Sequence, residues 1–189
     1  MTNLTTTLDE MFMLQAIELA ELGARHGLRP FGCVIVNEHG HAIATAYGTE
    51  SPLDPTRHSE ILAIKLACKL RSPGAYLRGC TLYSTHEPCC MCCGAINHAK
   101  LSVVVFGSYR TDLPTLFRRR HRTIADILAD TSHPPEIRGG ILRDECVALF
   151  DRELPVVVAA TPGGVADHHQ YEADDEQDQA ERVEDRDPH

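Results

Sequence analysis

No stretch of this 189-residue chain is apolar for long enough to cross a bilayer as a helix, so no membrane role is expected. Met1 to Asp9 holds neither a basic cluster nor an apolar core, which argues against a secretory leader and makes a cytoplasmic location the expectation. There is no internal repeat, and there is no basic excess. Residues 1–150 hold 15 Lys/Arg and 15 Asp/Glu, and so lack the net positive surface that phosphate backbones attract. The formal charge of −9 belongs to the end of the chain, where residues 151–189 hold three Arg and 12 Asp/Glu.

That end has almost no apolar residue after Ala166 and cannot bury enough surface to offset its ordering entropy. The reading is a domain over residues 1–152 and an acidic tail over 153–189, disordered from about residue 167. A solvating role is favoured for the tail over an interaction role. The remainder, with 43% hydrophobic residues in the whole chain, suits one compact domain.

The apolar pattern predicts alternating elements. Glu10 to Arg25 reads as an amphipathic helix, with Gln15, Glu18, Glu21 and Arg25 polar and Phe12, Ala16, Leu19 and Ala20 opposite. Cys33–Asn37 and Ala42–Tyr47 read as a hairpin around Glu38–His41. Thr56 is the expected N-cap of a helix running to Leu70, apolar on most sides and therefore central. A strand over Cys80–Thr85, a helix over Cys89–Ala99 and a fully apolar strand over Leu101–Gly107 follow. Thr115–Ala129 is expected to be helical, Glu136–Arg138 a short edge strand and Ile141–Arg152 a last helix. The sum is an α/β fold, a mixed sheet covered on both faces.

Two segments carry chemistry. His58-Ser59-Glu60 offers an imidazole and a carboxylate two residues apart. Glu87-Pro88-Cys89-Cys90-Met91-Cys92 offers two thiols three apart, behind a proline. Four of the eight cysteines lie within Cys89–Cys93, a spacing that suits metal better than disulfides. Pro88 is expected at a helix start, with Cys89 and Cys92 on one face near the positive end of the helix dipole. His58 is expected in the first turn of the central helix. Cys90 and Cys93 share the same spacing but point about 100° away and read as small buried hydrophobes. Three protein ligands leave a fourth tetrahedral position for water, the pattern of a catalytic zinc. The competing reading is a closed structural zinc completed by His86, Glu60, Cys90 or Cys93. A carboxylate beside the histidine argues for hydrolysis, which needs a proton shuttle.

These two segments match the H-x-E…P-C-x-x-C signature of zinc-dependent base deaminases. With Pro30-Phe31-Gly32, Asp54–Glu60, Thr81–Tyr83, Gly94–Ile96 and Val105–Gly107, the chain resembles the cytidine/deoxycytidylate deaminase superfamily over roughly residues 10–150. It is most similar to the branch of guanine deaminase, cytosine deaminase and bacterial tRNA adenosine deaminase. The resemblance implies a three-layer helix/sheet/helix sandwich around a five-stranded sheet, and one Zn2+ on His58, Cys89 and Cys92. It also implies Glu60 as proton shuttle, ammonia as product and a homodimer.

The chain departs from the family's Ala-His-Ala-Glu at Arg57-His58-Ser59-Glu60. It also lacks the usual base-binding asparagine at Tyr47-Gly48-Thr49. Phe31, Tyr47, Thr49, Arg57 and His86 are the candidate substrate-binding residues. Three of them have a plainer alternative: core packing for Phe31, solvent for Arg57 and a satisfied polar group for His86. A free nucleobase or nucleoside is the preferred substrate. Transfer RNA is the alternative, supported by the likeness of Glu136–Leu149 to the C-terminal helix of the tRNA enzymes and by the basic run Arg118–Arg122. A non-catalytic deaminase-like zinc protein is a third reading, disfavoured by the intact ligand set.

Overall fold

The computed structural model describes residues 6–71, 74, 76–114, 122–129 and 131–151. The acidic tail and the run Arg118 to His121 lie outside the described residues. A five-stranded sheet has the order β2-β1-β3-β4-β5, formed by β1 (Gly32–Val36), β2 (Ala42–Tyr47), β3 (Thr81–His86), β4 (Val103–Ser108) and β5 (Glu136–Gly139). β1 runs antiparallel to β2 and β3, whereas β3, β4 and β5 are mutually parallel, which makes the mixed sheet expected from the sequence.

Alternation along the strands divides the core in two. Cys33, Ile35, Leu82, Val104 and Phe106 face α2 (Ser59–Lys69), α3 (Cys90–Ala99) and α4 (Ile124–Leu128). Val34, Val36, Tyr83 and Val105 face α1 (Leu8–Arg25) and α5 (Arg143–Ala148). Helices therefore cover both faces, giving the three-layer sandwich. α1 begins with a capping box between Thr7 and Glu10, and it lies close on the sheet because Gly32 has no side chain. A Cβ there would collide with the Ala16 carbonyl of α1.

Several boundaries differ from the sequence reading. Thr56 does not cap α2. Its amide and hydroxyl both bond Asp54 Oδ1, at 2.9 and 2.6 Å, in a turn that precedes the helix, and His58 is the N-cap. α2 buries Ala63, Ile64 and Ala67 but leaves Ile61, Leu62 and Leu66 half-buried, so it is less central than its composition suggests. α3 starts at Cys90 with Cys89 as its N-cap, so Pro88 stands one residue before the cap rather than inside the helix. Cys93 is buried as expected, but Cys90 is exposed, because the first turn of α3 presents it away from the sheet. α4 starts only at Ile124, capped by Thr123 and Asp126, and residues 115–121 lie outside the described residues. α5 starts at Arg143, after Gly140 and Leu142 turn the chain with φ of 87° and 50°. Among the described residues no helix is long and apolar enough to cross a membrane.

Candidate active site

One end of the sheet gathers the chemistry. The strand ends there are the start of β1 and the ends of β2, β3 and β4, since Gly32 pairs with Tyr47 and His86 with Ser108. α2 and α3 both begin at this end, and they pack against each other. Their N-caps are His58 and Cys89, each with an extended backbone (ψ 149° and 172°). On a continuous helix, residues two apart diverge by about 200°. The extended His58 breaks that relation, and so His58 and Glu60 both line one pocket. Cys89 at the N-cap and Cys92 in the first turn of α3 bring their sulfurs within 3.5 Å.

The three metal-ligating groups form a near-equilateral triangle. His58 Nδ1 lies 3.6 Å from Cys89 Sγ and 3.5 Å from Cys92 Sγ, and the two sulfurs are 3.5 Å apart. Zinc bonds of about 2.3 Å to sulfur and about 2.05 Å to nitrogen at tetrahedral angles require S···N of about 3.6 Å and S···S of about 3.8 Å. The triangle thus fits one zinc, and it is the group that can hold a metal among the described residues. The sulfur–sulfur hydrogen bond with Cys92, then the contact with His58, pushes the Cys89 thiol down to about 3. The same contact with Cys89, with burial, drives Cys92 up. Hydrogen bonding to Cys89 raises His58. Two thiols and an imidazole at this spacing are a donor set suited to zinc.

Glu60 is buried, and burial raises its carboxyl above the usual range; Ser59 Oγ donates to its Oε2 at 3.0 Å. A carboxyl raised in this way is suited to carrying a proton to and from a reacting group. The pocket around it is lined by Phe31, Glu50, His86 and Glu87 as well as by His58, Ser59 and Cys89. Glu87 is fully engaged elsewhere: its carboxylate accepts the amides of Arg110 (3.1 Å) and Ile124 (2.8 Å). Buried Arg110 in turn donates to the Pro88 carbonyl. This network pins the segment that carries Cys89.

The candidate substrate residues separate into two groups. Phe31 and His86 line the pocket, at 6.0 Å between rings, with Phe150 closing an aromatic trio at 5.4 and 6.2 Å. His86 Nδ1 bonds Ser108 Oγ at 2.8 Å, and Ser108 donates its own proton to the Thr85 carbonyl. That chain assigns the proton of a neutral His86 to Nδ1. Burial, then Arg110, pushes His86 down to about 4, so it is neutral at physiological pH. Tyr47, Thr49 and Arg57 do not line the pocket. Tyr47 turns back to His26, with its hydroxyl 3.3 Å from Nδ1. Arg57 Nε donates to Thr49 Oγ1 at 2.8 Å, and the Thr49 amide donates to the Arg57 carbonyl at 2.9 Å.

Glu50 and Phe150 escaped the sequence reading. Glu50 resembles any solvated loop carboxylate, and Phe150 lies far from both motifs in the chain. Neither carries a local signal.

The matches to known proteins agree with this geometry. The family described as "Cytidine and deoxycytidylate deaminase zinc-binding region" matches residues 6–108, and the chain belongs to that family of zinc-dependent hydrolytic deaminases. It is 33% identical over 145 residues to a probable cytosine deaminase of Schizosaccharomyces pombe, covering 74% of this chain and 88% of that one. It is 34% identical over 154 residues to the tRNA-specific adenosine deaminase of Bacillus subtilis, covering 78% and 91%. Among solved structures, a guanine deaminase from Nitrosomonas europaea superimposes with a TM-score of 0.63 at 25% identity, covering 75% of this chain and 82% of that one.

Proposed function

We propose that this deaminase acts on a free nucleobase or nucleoside, with His58, Cys89 and Cys92 holding the zinc and Glu60 moving the protons. The observation that carries the reading is a buried carboxyl beside a three-ligand triangle, with Glu60, His58 and Cys89 lining one pocket. Zinc, when bound, supplies the Lewis acidity that makes water a nucleophile near neutral pH. Glu60 takes one proton of the attacking water and hands it to the ring nitrogen beside the amino-bearing carbon, then takes the proton of the hydroxyl now on that carbon and delivers it to the departing amine as the C–N bond breaks. Ammonia and an oxo base result. Phe31, backed by Phe150, offers an apolar face for the ring, and neutral His86 adds a polar edge.

Electrostatics favour a small substrate over transfer RNA. The pocket is lined by no Lys or Arg among the described residues. Arg25, Arg71, Arg138 and Arg143 pair with carboxylates of the same chain. A phosphate backbone needs cations that are available to it. The same reading includes a cytoplasmic homodimer, which light scattering of the purified protein checks. Ammonia release across a panel of bases and nucleosides, with inosine formation in transfer RNA alongside, tests the substrate. Turnover of at least one small heterocycle is expected, and activity on transfer RNA alone overturns the reading in favour of the tRNA adenosine deaminase alternative.

A further inference from the structure

We infer that Glu50 is a positioning residue for the metal site, holding the His58 ring in the orientation and tautomer that binds zinc. The inference rests on the ligand assignment proposed above.

His58 Nδ1 is the nitrogen that faces both sulfurs. A ligating nitrogen must present its lone pair, so the ring proton belongs on Nε2. Nε2 faces Glu50 Oε1 at 3.7 Å. At that distance the carboxylate stands behind the ring, a little beyond direct hydrogen-bond reach. Carboxylates placed behind metal-binding histidines fix the ring and raise its basicity as a ligand.

The loop is organised to hold Glu50 there. Thr49 and Arg57 are joined by two hydrogen bonds, one through the backbone and one through side chains. This latch ties the residue before Glu50 to the residue before His58. It also accounts for Thr49 and Arg57, which the sequence offered as substrate contacts. Gly48 supplies the remaining space. A methyl group on Gly48 would lie 2.7 Å from Glu50 Oε2, and the nearest backbone atom, Ser59 N, would be at an ordinary 3.6 Å. Gly48→Ala therefore displaces the flexible carboxylate without pressing on the main chain.

Because Glu50 also lines the pocket, catalytic rate cannot separate a metal role from a substrate role. Zinc affinity can. The experiment measures zinc binding to the full chain by competition with a chromogenic chelator, and thermal stability after the metal is stripped. Glu50→Gln is expected to weaken zinc by about 10- to 100-fold while leaving the melting temperature of the stripped protein unchanged. Gly48→Ala is expected to weaken it in the same direction. Glu38→Gln, a carboxylate paired with Arg71 away from the site, should leave zinc affinity as in the wild type. Wild-type zinc affinity in Glu50→Gln overturns the inference. If that variant does not fold, Gly48→Ala carries the test with the same two outcomes. His58→Ala separates the layers. If it retains stoichiometric zinc, the ligand assignment falls and the inference with it. If it loses zinc while Glu50→Gln and Gly48→Ala do not, the inference alone is overturned.

Discussion

The two faces of the sheet bury similar side chains and do different work. On one face α2 and α3 begin at the end of the sheet where the pocket opens, so their N-termini and positive dipole ends meet the thiols. On the other face α1 arrives at that end with its C-terminus, where His26 meets Tyr47, and it brings no ligand. Direction rather than composition makes one face chemical and the other a support. The support still reaches the site, because Phe150, just after α5, stands against Phe31 and His86.

Substitutions on the two faces should therefore fail differently. Cys92→Ala, on the chemical face, should have the largest effect. Zinc should be lost along with turnover, and the fold should become less stable because metal binding is coupled to folding. Metal analysis of the purified variant checks this, and a full zinc complement would remove Cys92 from the ligand set. Glu60→Gln should keep its zinc and lose about 100-fold or more in kcat, the range of a missing proton shuttle. Steady-state ammonia release is the measurement, and undiminished turnover would dismiss Glu60 from that role.

On the supporting face, Met13→Ala removes a side chain with 0% exposure, and about 2–5 kcal/mol of stability should go with it. Zinc stoichiometry should remain at one, so denaturant unfolding moves while metal content does not. A loss of zinc in this variant would erase the distinction between the faces.

Glu87→Gln should cost less than Met13→Ala. Glutamine keeps one acceptor oxygen, so one of the amides of Arg110 and Ile124 loses its partner, at a cost of about 1–3 kcal/mol. Urea unfolding of the zinc-loaded protein would register it. Thr7→Ala, which opens the capping box of α1, should be the mildest at about 1 kcal/mol, with activity unchanged.

Much of this architecture is legible in the residues. The apolar runs Cys33–Val36 and Val103–Phe106 identify strands because a sheet covered on both faces buries nearly every side chain along them. Helix starts were less legible. Thr56 has the chemistry of a cap, yet Asp54 captures both its amide and its hydroxyl. The cap therefore passes to His58, which no propensity favours. That displacement matters, since the extended backbone at His58 is what lets His58 and Glu60 face the same pocket.

By itself the sequence determined the order of the elements, the chemical types of the candidate zinc ligands and the carboxylate beside them, because these are local matters of spacing and residue chemistry. Only the tertiary structure decided which loop residues stand behind the site. Tyr47 turns away to α1, Thr49 and Arg57 latch to each other, and Glu50 lies against His58. The reason is physical. A loop residue's surroundings come from segments distant in the chain, and their approach is settled by packing rather than by any pattern within the loop.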